Sequence, residues 1–142
     1  MCSITNNPIP KIADEDIVCY KLVKRTKIKG VYKSSFQKFE YVIRQLYTNN
    51  INYSFANKVI KKERIFISYM NYLEADFIEE GMFHSYADNL YPILSPLPNC
   101  ALLKCIIPKG AYYFEGEFDE SPSYASSQIK ILEEIWIDLR NL

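Results

Sequence analysis

Turn signals cut the last third of this 142-residue chain at short intervals, and that spacing restricts its fold more than any other feature. CALLKCII, from Cys100 to Ile107, is a short apolar run, Pro108-Lys109-Gly110 is a turn, and AYYFEGEF carries the chain to Phe118. DESPS, from Asp119 to Ser123, reads as a loop, and SQIKILEEIWIDL sets Ile129, Ile131, Ile135 and Ile137 in alternation. The two eight-residue runs, bounded by Pro, Gly and Asp, match strands in length, and the last run reads as a strand by its alternation. The two runs flanking Pro108 predict a hairpin or a tight strand-to-strand corner.

The same pattern extends toward the start of the chain. Residues 1–15 carry two prolines and no hydrophobic period, so they read as an extended N-terminal arm, with residues 16–142 as a single β-rich domain. DIVCYKLVK, from Asp16 to Lys24, is a first strand, with Ile17, Cys19 and Lys21 on one side and Val18, Tyr20 and Leu22 on the other. A turn is expected at Lys29-Gly30. FEYVIRQLY, from Phe39 to Tyr47, fits a strand in part and a helix in part, through Phe39, Val42, Ile43 and Leu46. Thr48 to Lys58 is turn-rich, and RIFISYMNYL, from Arg64 to Leu73, is a further strand. Ser85 is placed to cap a short helix running to Tyr91 and stopped by Pro92. The fold class is α+β: a β-rich domain on a mostly antiparallel or mixed sheet, with one or two short helices.

A hydrophobic fraction of 49% beside 24% charged residues predicts an ordered chain with its own core. The aromatic share of 15%, with twelve Tyr and eight Phe, supplies a stacking surface or reflects a codon bias that favours Tyr, Phe, Asn, Lys and Ile together. No run approaches the roughly 18 residues a membrane-spanning helix requires, and the start lacks the pattern of a signal peptide. The expected location is therefore the cytoplasm. Cys2, Cys19, Cys100 and Cys105 have no C-x-x-C spacing, which predicts reduced thiols, no metal site and no cofactor.

The net charge of zero hides a division. Residues 1–71 hold 13 Lys and Arg against 5 Asp and Glu, and residues 72–142 hold 4 against 12, so the halves carry +8 and −8. Such a split marks a basic contact face or lets the two halves attract each other. Between Tyr20 and Lys38, cations alternate with rings, and Tyr20, Lys24, Arg25, Tyr32 and Phe36 are the candidate ligand-binding residues for an anionic, nucleotide-like molecule. Nucleic acid is a less favoured partner, because no recognised binding signature accompanies these residues. His84, the sole histidine, has Glu79, Glu80, Ser85 and Tyr86 near it and is a candidate acid or base; the plainer reading is a structural hydrogen-bonder. Glu115 and Glu117 share a strand face, where two carboxylates can divide acid and base roles; the plainer reading is a solvated face. Their E-x-E spacing resembles the catalytic corner of ADP-ribosyltransferases, which implies an NAD-dependent transferase using Glu117.

CYKLV at Cys19, FEYVIRQLY, EEGMFHSYAD at Glu79, KCIIPKGAYYFEGEF at Lys104 and YASSQIKILEEI at Tyr124 together resemble a group of small proteins of phages and prophages of gut Bacteroidetes. That group carries a Gly-Phe-His stretch, an Ile-Pro-Lys-Gly strand end and an Ala-Ser-x-x-Ile strand. Here Met82 stands between Gly81 and Phe83. The resemblance implies a β-rich fold and a phage or prophage origin, and no catalytic residue is carried over. The expected function is an accessory binding protein without enzymatic activity, acting in the bacterial host cytoplasm on a host protein or a small anionic ligand in host takeover or anti-defence. The alternatives are an ADP-ribosyltransferase-like enzyme and a virion structural or packaging component. The sequence sets no oligomeric state.

Overall fold

The structure is a computed structural model and describes residues 3–5, 9–34, 39–49, 60–68, 71–78, 82–88, 99–118 and 121–135. Every regular element among them is a strand: β1 (Ser3–Thr5), β2 (Lys11–Ile12), β3 (Ile17–Arg25), β4 (Val31–Ser34), β5 (Glu40–Val42), β6 (Leu46–Thr48), β7 (Ile60–Ser68), β8 (Asn71–Ile78), β9 (Phe83–Tyr86), β10 (Cys100–Ile107), β11 (Tyr112–Phe118), β12 (Ser121–Ser126) and β13 (Gln128–Ile135). They join in one sheet in the order β6-β13-β10-β3-β9-β12-β11-β1-β8-β7, with β4 and β5 continuing from β3 and β2 lying on β11. All pairings are antiparallel.

The centre is the β3–β10 ladder, in register from Ile17 opposite Ile107 to Lys24 opposite Cys100. Period-two alternation turns Cys19 and Val23 of β3 and Leu103, Cys105 and Ile107 of β10 to one face, where Ile129 and Ile131 of β13 join them. All seven are 0% exposed. Burying an aliphatic side chain of this size stabilises the fold by about 1.5–3 kcal/mol. A second buried group, Phe114, Ala125 and Tyr86, belongs to β11, β12 and β9.

The β-rich antiparallel character is as the sequence indicated, whereas several elements differ. FEYVIRQLY is neither one strand nor a helix: β5 and β6 flank a turn in which Arg44 takes a left-handed φ of 69°. That turn is held by β13, because Arg44 N donates to Ile131 O (2.8 Å) and Ile131 N donates to Gln45 O (3.0 Å). The residues that favoured a helix do not form a buried stripe, since Val42 and Leu46 are exposed while Tyr41 packs in the core. Ser85 lies within β9, 1% exposed and opposite Tyr124, instead of capping a helix. Residues 89–91 of the expected helix lie outside the described residues. No described residue is helical.

Residues 64–73, expected as one strand, are divided between β7 and β8, which pair with each other. The expected turn region 48–58 lies almost wholly outside the described residues. The strands on either side of Pro108 form the corner and not the hairpin: β10 pairs with β3 and β13, while β11 pairs with β12, β1 and β2. Gly110, at φ 89°, takes the left-handed turn, and its N–H donates to Ala13 O (2.8 Å). Of DESPS, read as a loop, Ser121, Pro122 and Ser123 instead open β12, in which Pro122 stands opposite Glu117, and residues 119–120 lie outside the described residues. The arm contributes β1, placed between β11 and β8, and β2, placed beside β11.

Leu103→Ala should lower unfolding free energy by about 2–5 kcal/mol, because the cavity opens where β3, β10 and β13 meet. Ile28→Ala, at a side chain 67% exposed, should stay within about 0.5 kcal/mol. Denaturant midpoints of the two variants and the parent check both expectations.

Candidate functional site

The basic segment folds as the β3–β4 hairpin. Its turn closes through Thr26, whose hydroxyl donates to Val31 O (2.7 Å), and through Gly30 at φ 82°. Ile28 sits at the tip, with Lys27 and Lys29 on either side.

Strand alternation sorts the candidate ligand residues onto two faces. Arg25 lies opposite Tyr32 on one face, and Lys24 lies opposite Lys33 on the other, with Tyr20 on the Lys24 side and paired to Tyr86. Phe36 lies outside the described residues. Arg25 and Tyr32 converge on Glu134: the guanidinium donates to Oε1 through Nε (3.1 Å) and Nη2 (2.5 Å), and the Tyr32 hydroxyl donates to Oε2 (2.6 Å). Arg25 Nη1 also donates to Cys100 O (2.7 Å). This network therefore holds the hairpin to β13 and β10 and consumes both side chains.

Ionisation follows from that geometry. Partial burial works to raise the Glu134 pKa, but the hydrogen bonds from Tyr32 and Arg25 and the guanidinium charge together bring it below its ordinary value. Burial, and the carboxylate it donates to, push the Tyr32 phenol up to about 12. Lys24, Lys27, Lys29 and Lys33 form no ion pair with a described residue; the pairs present are Arg25–Glu134 and Lys11–Glu115.

The remaining candidates divide across the sheet. Glu115 and Glu117 do share a face, opposite Tyr124 and Pro122. With Ala87, Gly116 and Ser123 they line an open groove of about 350 Å³. Lys11 Nζ reaches Glu115 Oε2 (3.0 Å), and that hydrogen bond raises the lysine pKa. Burial and the nearby Glu115 charge raise the Tyr124 phenol. His84 stands opposite Ala125, one position out of step with the Ser85–Tyr124–Glu115 row. Its buried ring consequently leaves the opposite face of the sheet, and the structure does not bring it together with the two glutamates.

One buried cation was not singled out from the sequence. Lys21, 8% exposed, donates from Nζ to the His84 carbonyl and lies 5.0 Å from the centroid of the Tyr41 ring. The available signal was β3 alternation, which sets Lys21 on the Cys19 side. Rings of Phe39, Tyr41, Tyr47 and Phe83 pack edge-on or tilted beside it. Burial pushes the Cys19 thiol up to about 11, against the lowering effects of Ser85 and Lys21, and raises Cys105 as well. Both thiols stay protonated at neutral pH and are poor nucleophiles.

Among the described residues no group of three His, Cys, Asp or Glu converges on a metal position. No helix among the described residues is long and apolar enough to cross a membrane. No family model, no curated protein and no solved structure matches the chain.

The Arg25–Glu134–Tyr32 network predicts a stability profile with two edges. Because the folded pKa of Glu134 is depressed, its contribution is complete above its unfolded value near 4.5 and is lost as pH falls through the lower folded value. Because the Tyr32 pKa is raised, its contribution is complete below 10 and is lost as pH rises toward about 12. Tyr32→Phe should flatten the alkaline edge and weaken the acid one, read as the difference between melting temperatures of parent and variant across pH.

Proposed function

We propose that this chain is a binding protein without enzymatic activity that engages an anionic partner through the β3–β4 hairpin. The observation that carries the reading is the register of Lys24 opposite Lys33. Like charges placed directly across an antiparallel pair destabilise it, and a bound anion removes that cost. Lys27 and Lys29 extend the same positive field past the turn, and residues 17–39 contain no Asp or Glu. Glu40 stands opposite Lys33 on the far side of β4 without forming an ion pair with it, and the Glu134 carboxylate is engaged by Arg25, so Lys24, Lys27 and Lys29 have no carboxylate directly across from them in the hairpin.

Three features support a binder over an enzyme. Cys19 and Cys105 are held as protonated thiols, Glu115 is tied to Lys11, and His84 is separated from the glutamates by the sheet. The proposal includes a place among phage or prophage accessory proteins acting on a host component, on the strength of the Ile-Pro-Lys-Gly and Ala-Ser-x-x-Ile segments. The partner chemistry this implies is a phosphate- or carboxylate-bearing surface, met by lysines as point charges.

A protein of net charge zero binds a phosphate resin near neutral pH only when its charges are segregated. The parent should be retained on phosphocellulose at low ionic strength, and Lys24→Gln with Lys33→Gln should elute at clearly lower salt with a melting temperature at or above the parent's, because the cross-strand repulsion is gone. Equal elution of the two proteins contradicts the reading.

A further inference from the structure

The hairpin and the acidic groove have complementary chemistry. The tip presents an exposed aliphatic side chain, Ile28, between two lysines. The groove presents two carboxylates, Glu115 and Glu117, above the apolar surfaces of Pro122, Tyr124 and Ala87. Its volume of about 350 Å³ exceeds what one isoleucine side chain fills, leaving room for the aliphatic stems of flanking lysines.

Within one chain these two features do not meet. β9 pairs with β3 at Tyr86 opposite Tyr20, so Ala87, at the groove, lies toward the start of β3. The hairpin turn lies past Arg25, at the other end of the strand. Six residues of extended chain, from 19 to 25, separate the two levels by about 20 Å. Consequently the division into a basic first half and an acidic second half is not used up by contact between this tip and this groove.

From this we infer that the chain associates with itself head to tail: the Lys27-Ile28-Lys29 tip of one copy docks in the Glu115–Glu117 groove of the next. The inference rests on the reading of the hairpin as an anion-seeking surface and names a second copy as its partner. The contact is heterologous, so it propagates into a ring or an open chain of copies and does not stop at a two-fold dimer. Lys11, which lies on Glu115 in the isolated chain, leaves Glu117 as the carboxylate first open to the incoming lysine.

Native mass spectrometry and light scattering of the full chain at low salt, repeated above about 0.5 M salt where exposed charges are screened, test the inference. Low-salt association that dissociates at high salt is expected. The double variant K27E/K29E alone, and E117K alone, should each weaken self-association at least tenfold, because each sets like charges against each other. Mixing the two variants should restore assembly, because every hairpin then meets a groove of opposite sign. A parent that stays monomeric at low salt overturns the inference, as does association that the variants leave unchanged or that the mixture does not restore. Melting temperatures within a few degrees of the parent verify that each variant is folded. Phosphocellulose retention separates the two claims: a monomeric parent still retained through Lys24 and Lys33 removes self-assembly and keeps the binding reading, whereas loss of both removes the binding reading as well.

Discussion

The β3–β10 ladder sets which side chains of the two central strands face the core. Its register places Cys19, Lys21 and Val23 on the face that carries Leu103, Cys105 and Ile107, and leaves Tyr20, Leu22 and Lys24 on the other. A slip of one residue would exchange the two sets, exposing apolar core and burying Lys24. Seven side chains at 0% exposure make that exchange expensive, and the register is fixed accordingly. Among the described residues Lys21 is the one charged side chain buried on this face. It remains because the His84 carbonyl and the Tyr41 ring receive its ammonium group, supplying the partners that a buried charge requires.

The same alternation gives two neighbouring cations different roles. Arg25 turns toward Glu134 and Tyr32, where a forked guanidinium and a phenol hold one carboxylate at hydrogen-bonding distance. Lys24 turns the other way and meets Lys33. One side chain fastens the hairpin to the sheet, while the next contributes to its unbalanced field. A composition count treats them alike, yet only the lysines belong to the proposed contact surface.

Much of this was legible where local pattern and tertiary structure agree. β3, β10, β11 and β13 show alternation, β-branched residues and turn signals, and the Lys29-Gly30 and Lys109-Gly110 turns both carry a left-handed glycine. The sequence misled where a distant partner sets the backbone. Arg44 adopts its positive φ because β13 holds that turn, and nothing in FEYVIRQLY announces it. β12 was missed because Ser121, Pro122 and Ser123 carry loop chemistry, although Ser121 and Ser123 are buried between neighbouring strands. The pairing of Glu115 with Glu117 followed from period two alone. The separation of His84 from them depended on cross-strand register, which a single sequence does not reveal.

The central claim, that the outward lysines of the β3–β4 hairpin form the contact surface while Arg25 and Tyr32 only hold it in place, is tested most directly by NMR. Backbone and lysine side-chain shifts would be followed as short-chain polyphosphate is added to the full chain. The account predicts perturbations concentrated at Lys24, Lys27, Lys29 and Lys33, with Arg25 and the β10 core unmoved. Perturbations centred on the Lys21–His84 cluster, or none at the hairpin, would contradict it.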